Sequence, residues 1–414
     1  MRLDLPRRET LFAESGRNWL ALILFVIWPL LQIALPRTLP LFFGIALLTL
    51  CSFALIARLR GEPDRFAQGY WSFNPRDPLL LLGLLYLTLM AVSLSWSPMP
   101  ERGIKDIAVL FGALIIGRLF VLELARTRLL SATIFAVIAL SIGALAMIAE
   151  TWGISSFHDA LLDTNFIYDL NRNAAWLVLL GCAALAALHA GRHMVIAVAV
   201  ATMVLFAIFS GEGEAAKLGA LLAIAAMVVA TYAPTLIKPL VGLMALAVLM
   251  MPLLSASLAK TDGTLRIPIP EAANAQHRVA LWQDYSQLAL QRPVLGWGVK
   301  GDRMLGESGL ASRRAGELGF GDETTSPHNI ALEIWVNQGV VGIAIVINML
   351  LVLAWRICEL PNWPRASAFA MLTAAFAVSM TGSSFYQTWW IATIASSIVM
   401  WHCLARRREP RSTE

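Results

Sequence analysis

The sequence Ser326-Pro-His-Asn-Ile-Ala-Leu-Glu333 marks the point where the longest polar interval of the chain, Ala259 to Pro327, gives way to an apolar run. Apolar runs of about 20 residues, the length that an α-helix needs to cross a bilayer, flank this interval on both sides. Hydrophobic residues make up 58% of the chain and charged residues only 14%, whereas soluble domains carry about 25% charged residues. The interval is therefore predicted to be a long extramembrane loop in a membrane protein.

The remaining apolar runs predict an all-α polytopic membrane protein with about twelve transmembrane helices. Lys and Arg in the short loops concentrate on segments that share a side with the N-terminus. This bias predicts cytoplasmic N- and C-termini and an outward-facing loop at 259–327 between the ninth and tenth spans. The whole chain, 1–414, is expected to form a single membrane-embedded domain. The spans are predicted at 19–35, 41–59, 78–96, 104–124, 128–152, 173–191, 193–211, 213–233, 237–258, 338–357, 365–384 and 386–405.

Composition also argues against several classes of function. The net charge of +5 comes from short basic clusters between apolar runs, so it does not indicate a nucleic-acid partner. The long loop contains no cysteine, because Cys51, Cys182, Cys358 and Cys403 all lie in or at the ends of predicted spans. The long loop has no Asp-x-Asp pair and no His-x-x-x-His pair. We therefore expect no disulfide framework, no metal site and no cofactor.

Within the loop, the segment from Glu271 to Gln291 is predicted to be a helix that ends before Pro293. Arg278, Trp282 and Tyr285 are spaced i, i+4, i+7 and share one face of this helix. A guanidinium beside aromatic rings suits a phosphate, or a sugar stacked on a ring. The same face is also typical of an interfacial helix whose arginine contacts lipid phosphates.

His328 stands where the chain enters the tenth span. We expect Ser326 to cap a helix, Pro327 to take its first position and His328 to lie in its first turn. The helix dipole there disfavours imidazolium, and a neutral imidazole is what a general base requires. Asn329 and Glu333 are candidates to orient it. The alternative is a histidine and polar neighbours that only mark the helix start.

A second outward-facing joint, Ser210 to Lys217, separates the seventh and eighth predicted spans, which are two helices or one broken element. Lys217 is expected about one turn into the eighth span, where an ionisable residue usually faces a cavity or a partner. Glu214 is its predicted salt-bridge partner at i−3, and an anionic ligand is the alternative. Lys105 and Arg172, at the outer ends of spans four and six, either extend a basic rim or anchor their helices.

The arrangement resembles the bacterial O-antigen ligase family (WaaL-type) and its polymerase relatives. The long loop before the last three spans is one shared feature. Two sequence patterns are shared as well: Arg-x-x-x-Trp followed by Pro-x-x-Gly-x-Gly, and His-Asn-x-x-Leu-Glu followed by Gly-x-x-Gly. These patterns fall on Arg278, Trp282, Pro293, Gly296 and Gly298, and on His328, Asn329, Leu332, Glu333, Gly339 and Gly342.

The resemblance implies a glycosyltransferase with a GT-C-like membrane fold, in the inner membrane of a Gram-negative bacterium. Its donor would be O-antigen linked to undecaprenyl diphosphate, and its acceptor would be lipid A–core oligosaccharide at the periplasmic face. His328 would be the base and Arg278 a diphosphate-binding cation. Family members often have Ser-Arg near the joint where this chain has Lys217, which is a departure. A lysine ammonium is a point charge, whereas an arginine guanidinium is a planar fork that can form two parallel hydrogen bonds to a phosphate.

Two other functions remain open from the sequence. A related polymerase joins two undecaprenyl-linked repeat units by the same chemistry. A secondary transporter or flippase for lipid-linked sugars also fits twelve spans with both termini inside. Transporters tend to have paired broken helices at matching places in two halves, whereas this chain offers one candidate break, Gly211 to Gly213.

Overall fold

The computed structural model describes residues 48, 76–124, 129–153, 166–190, 193–258, 272–304, 326–382, 384 and 387–405. The first two predicted spans, 19–35 and 41–59, lie outside the described residues except for Leu48. The described part of the chain contains helices and no strands. The helices are α1 (Pro78–Ser93), α2 (Pro100–Leu124), α3 (Leu129–Thr151), α4 (Phe166–Ala190), α5 (Met194–Ser210), α6 (Glu214–Tyr232), α7 (Ile237–Leu258), α8 (Ala272–Gln291), α9 (Ile330–Cys358), α10 (Asn362–Thr381) and α11 (Thr388–Ala405).

Each predicted span from 78–96 onward overlaps one of these helices, although the helix at the tenth span begins earlier than predicted. In the described residues, four helical segments are long and apolar enough to cross a membrane: Pro78–Trp96, Glu214–Tyr232, Pro234–Ser257 and Ile330–Cys358. Met194–Ser210 is a shorter apolar helix. The joint at Gly211–Gly213 separates α5 from α6, so the seventh and eighth predicted spans are two helices and not one broken element.

The local sequence explains where several helices begin and end. Asp77 caps α1 by accepting a hydrogen bond from the Leu79 amide at 3.0 Å, and Pro78 occupies the first position, where no amide hydrogen is needed. Helix α8 ends at Gln291, as predicted, because Pro293 cannot continue it.

The bundle has two distinct ends. At one end, the Arg356 guanidinium bonds the Asp77 carboxylate at 2.7 Å, and the His189 ring stacks on Trp363 at 3.6 Å between centroids. We call this the opposite end. At the other, which we call the loop end, the hydroxyl of Ser97 donates to the Val299 carbonyl at 2.6 Å, joining the α1–α2 connection to the segment after α8.

Three buried clusters lie in the described part of the bundle, and the smallest of them joins α6, α7, α9 and α10 around Phe369. The other two are larger. One packs α3, α4, α5, α6, α10 and α11 around Trp176 and Trp390, and the other packs α1, α7, α8 and α9 around Tyr285. Helices α6 and α10 make the most extensive contact. Small residues allow their close approach: a Cβ at Gly219 would lie 3.1 Å from the Val378 side chain.

Helix α9 is broken at Gly339, where φ is +61°. The tenth span was predicted to begin at 338, but the helix begins at Ile330 and its first nine residues form a separate segment before the break. Residues 331–339 of this segment are buried.

The segment Pro293–Lys300 fills the break in α9, and we call this contact the glycine interlock. The amides of Trp297 and Gly298 donate to the carbonyls of Val336 and Asn337 at 2.7 and 3.0 Å. The Val340 amide returns a bond to the Pro293 carbonyl at 2.8 Å. Backbone groups that the break leaves without helical partners are thus paired.

Glycine is required at the interlock because two backbones meet there. A Cβ at Gly296 would lie 2.5 Å from the carbonyl carbon of Asn337, and one at Gly298 would lie 2.7 Å from the Ser93 carbonyl oxygen. A Cβ at Gly339 would collide with the carbonyl of Val294. All three glycines also have positive φ, which other residues rarely adopt. Three of the four glycines in the two sequence patterns, Gly296, Gly298 and Gly339, therefore serve to dock the loop.

Candidate active site

Arg278 projects from α8 against the end of α10. Its guanidinium donates a hydrogen bond to the carbonyl of Thr381, the last residue of that helix. The negative end of the α10 dipole is a favourable place for a cation. Burial lowers the pKa of Arg278, and the nearby charge of Glu214 partly offsets this effect. No carboxylate in the described residues forms an ion pair with Arg278, so a partly buried guanidinium is held by a neutral carbonyl.

Trp282, one turn further along α8, connects this helix to the segment around His328. Its indole nitrogen donates to the Pro327 carbonyl at 2.9 Å. Tyr285, on the same face, is fully buried in the core beneath. The predicted shared face therefore exists. On this face, Trp282 contacts Pro327, the residue before His328, whereas Arg278 contacts the end of α10.

The predicted start of the helix near His328 is wrong, because the helix begins three residues later than expected. Asn329, not Ser326, is the N-cap, because its side-chain oxygen accepts from the amides of Ala331 and Leu332 at 3.0 and 3.1 Å. The helix begins at Ile330, so neither Pro327 nor His328 lies in its first turn. Asparagine caps at least as well as serine, and the φ of +47° at His328 is incompatible with a right-handed helix.

His328 is therefore held in a tight turn just before the helix. Its amide lies 3.4 Å from the Ser326 hydroxyl, and its neighbours on both sides are fixed by Trp282 and by the Asn329 cap. The side chain is half-buried. Histidine adopts positive φ more readily than most residues, and such conformations cluster at functional sites.

Glu333, one turn into α9, is completely buried. Its carboxylate accepts a hydrogen bond from the Ser384 hydroxyl, in the connection between α10 and α11. The Ser384 amide in turn lies 3.3 Å from the side-chain oxygen of Gln387. Glu333 therefore fastens the α10–α11 connection to the start of α9, beside the turn that carries His328.

Lys217 lies in the first turn of α6, at the joint after α5. Its ammonium group bonds the Glu214 carboxylate at 2.8 Å, which confirms the predicted salt bridge. This end of α6 abuts the end of α10, since a Cβ at Gly382 would lie 2.6 Å from that of Ala215. Lys217 and Arg278 are thus both positioned at the meeting point of the α6 N-terminus and the α10 C-terminus, which we call the cation junction.

The other two predicted cations are placed differently. The Arg172 guanidinium lies 5.6 Å from the centre of the Trp389 ring at the start of α11. The neighbouring Asn171 lies 3.0 Å from a Cβ built at Gly213, so this part of α4 reaches the joint that carries Lys217. Lys105 is exposed on α2, and in the described part of the chain no contact joins it to the other candidates.

Sequence reasoning missed two groups at the loop end. Three residues where α10 gives way to α11 contact the candidates: Thr381 contacts Arg278, Ser384 contacts Glu333 and Trp389 contacts Arg172. The polar residues where the last two predicted spans meet, followed by Trp389 and Trp390, were the available signal. The second group is the buried ion pair between Lys300 and Asp106 at 2.5 Å, which ties the interlock to α2. No periodic pattern relates those two residues.

Comparison with known proteins found one family model and two curated relatives. Residues 160–347 match the family model described as O-Antigen ligase. The resemblance to the O-antigen ligase family is confirmed. This segment is less than half of the chain, but it contains both glycine patterns, Lys217, Arg278 and His328.

Two curated relatives are also similar to this chain. Both are named "Putative polysaccharide ligase", one from Rickettsia prowazekii, 25% identical over 122 residues, and one from Rickettsia conorii, 24% identical over 123 residues. These matches cover 28% and 29% of this chain, and the chain spans only 29% of the length of each relative. No solved structure matches the chain significantly.

Proposed function

We propose that this protein is an O-antigen ligase, which transfers O-antigen polysaccharide from undecaprenyl diphosphate to lipid A–core oligosaccharide. The observation that carries the proposal is the cation junction. Lys217 and Arg278, from separate helices, converge there at the same end of the bundle as His328. A diphosphate needs cations where negative charge develops on it as a leaving group. The match to the O-antigen ligase family model supports the same chemistry.

In the proposed reaction, an acceptor hydroxyl oxygen attacks the anomeric carbon of the sugar attached to the diphosphate. The bond between that carbon and the phosphate oxygen breaks, and undecaprenyl diphosphate leaves. His328 accepts the hydroxyl proton as general base. Lys217 and Arg278 balance the negative charge of the departing diphosphate, and Trp282 offers a ring for sugar stacking. Direct displacement inverts the configuration at the anomeric carbon.

Asn329 and Glu333 support this chemistry indirectly in the proposal. Asn329 caps α9 and so fixes the turn at His328, and Glu333 holds the α10–α11 connection whose first carbonyl binds Arg278. Arg172 lies near the joint of Lys217 and can add positive charge. Lys105 has the weakest support, because it contacts none of the others. Membrane lipids are the surrounding partners.

The proposed setting is the inner membrane of a Gram-negative bacterium, with about twelve spans and both termini in the cytoplasm. The loop end would then face the periplasm, where both lipid-linked substrates are available. The pairing of Asp77 with Arg356 at the opposite end is consistent with the charge bias, since both belong to segments predicted to be cytoplasmic. A bundle that opens sideways can place two lipid-anchored substrates together.

The test is transfer by the purified full-length protein in detergent or proteoliposomes. Undecaprenyl-diphosphate-linked glycan is supplied with either lipid A–core or a second undecaprenyl-linked repeat unit as acceptor, with and without a chelator. We expect glycan on lipid A–core, equal rates with chelator, and an inverted anomeric configuration by NMR. Product formed only on the undecaprenyl-linked acceptor would identify a polymerase. A retained configuration would exclude direct displacement, and no transfer to either acceptor would refute the proposal.

A further inference from the structure

The cation junction already contains an anion. Glu214 is the first residue of α6, and its carboxylate bonds the Lys217 ammonium at 2.8 Å. The next residue, Ala215, packs against Gly382 at the end of α10, directly after the Thr381 carbonyl that holds Arg278. A carboxylate thus stands beside both cations that are proposed to receive the diphosphate.

The two cations are held in unequal ways. Arg278, which is partly buried, is fixed by the Thr381 carbonyl at the end of α10. The Glu214 side chain is 52% exposed and that of Lys217 23% exposed, and exposed pairs of this kind are weak. The lysine ammonium also sits on a flexible stem that can exchange partners. Lys217 can therefore move from Glu214 to another anion while Arg278 stays in place.

We propose that Glu214 is an internal counter-anion that competes with the substrate diphosphate for Lys217. The inference rests on the proposed function. The leaving group, undecaprenyl diphosphate, keeps both phosphates, so cations that bind the donor also hold the product. A resident carboxylate that recaptures Lys217 weakens both complexes and speeds release of the product. Product release is the rate-limiting step in many enzymes.

The joint provides a matched control for this idea. Glu212 is an exposed carboxylate two residues before Glu214, and no ion pair joins its side chain to a described residue. Glu212→Gln and Glu214→Gln therefore make the same change in net charge within the same joint. Only Glu214→Gln removes the ion-pair partner of Lys217. A change in the general electrostatic attraction of the ligand would alter its binding in both variants, whereas loss of direct competition would alter its binding only in Glu214→Gln.

The experiment measures equilibrium binding of undecaprenyl diphosphate to the purified full chain at low ionic strength. Glu214→Gln is expected to tighten binding by ~2–5-fold, the range that corresponds to an exposed ion pair. Its kcat for transfer should fall as product release slows. Glu212→Gln should bind as the unmodified protein does. In a Lys217→Gln background, Glu214→Gln should tighten binding less, because only the effect of its charge near Arg278 remains.

The outcomes separate this inference from the function on which it rests. If the unmodified protein binds undecaprenyl diphosphate, but Glu214→Gln and Glu212→Gln behave alike, the counter-anion role is overturned and the proposed function stands. The role is also overturned if Glu214→Gln tightens binding equally in the Lys217→Gln background. If the unmodified protein does not bind undecaprenyl diphosphate, both proposals fail together.

Discussion

The glycine interlock and the cation junction lie at the same end of the bundle but are built in opposite ways. In the interlock, backbone groups of Pro293–Lys300 form hydrogen bonds with those at the α9 break. A side chain at Gly339 would collide with the backbone of Val294. In the junction, Arg278 is held by a neutral carbonyl and Lys217 by an exposed carboxylate. Packing explains the residues of the first region. It does not explain why the second has two cations, and this contrast supports the proposal that the diphosphate binds there.

The largest expected effect comes from breaking the interlock. Gly339→Ala introduces a Cβ where the Val294 backbone lies and demands a positive φ, so we expect stability to fall by at least ~2–3 kcal/mol. Thermal unfolding of the purified protein in detergent measures this change. Gly242→Ala in α7 is the control, because a Cβ there meets nothing within 4 Å. Equal unfolding temperatures for the two variants would mean that the interlock does not support the fold.

The next effect tests the junction without disturbing the interlock. Arg278→Lys keeps the positive charge but loses the fork, which can bind the Thr381 carbonyl and the proposed phosphate at the same time. We expect kcat/KM for transfer to fall by ~10–100-fold, the equivalent of a hydrogen bond to a charged group, with little change in unfolding temperature. Arg102→Lys, exposed at the same end, is the control. A variant within twofold of the original rate would mean that Arg278 only anchors its helix.

Glu333 lies in the first segment of α9, and its hydrogen bond to Ser384 links this segment to the α10–α11 connection. Ser384→Ala removes a hydrogen bond to this buried carboxylate, so we expect a loss of stability of ~1–3 kcal/mol. Ser257→Ala is the matched control, because that exposed hydroxyl bonds only the carbonyl of Leu254 in its own helix. Unfolding curves of the two variants make the comparison. A null effect at Ser384 would show that the α10–α11 connection is held by other contacts.

The smallest effect is expected at the opposite end. Burial alone would raise the pKa of the Asp77 carboxyl, but the hydrogen bond and charge of Arg356 and the amides of Leu79 and Leu80 lower it. A lowered folded-state pKa means that the stabilisation is present above the ordinary value of 3.8 and is lost as pH falls through the folded value.

Asp77→Asn should therefore cost ~0.2–1 kcal/mol at pH 7, as exposed pairs do. The difference from the original protein should shrink as pH falls below the ordinary carboxyl pKa. Unfolding temperatures across this pH range check the prediction. A difference that persists unchanged in acid would assign the effect to the cap of α1 and not to the charge of Asp77.

Local patterns predicted the features that depend on nearby residues. The end of α8 before Pro293 and the pair of Lys217 with Glu214 follow from rules that act over a few positions. The cap of α9 was misplaced because Ser326 and Asn329 are both good caps, and only the turn at His328 decides between them.

Patterns over a few positions could not predict contacts between residues that are far apart in the sequence. Arg278 contacts Thr381, 103 residues away, and Gly296 and Gly339 meet the backbones of segments about 40 residues apart in the chain. The sequence placed Arg278 and Trp282 on one face of one helix. No local pattern predicted that Arg278 would contact α10 or that Trp282 would contact Pro327.

The central claim is that the chemistry depends on His328 and the fold does not. The most direct measurement is the transfer rate of purified His328→Ala from undecaprenyl-diphosphate glycan to lipid A–core, alongside its unfolding temperature. His193→Ala, exposed at the opposite end, is the control. We predict a loss of at least ~100-fold, the lower range for a general base, with unfolding unchanged and the control fully active. Transfer by His328→Ala at more than a tenth of the original rate would contradict the account.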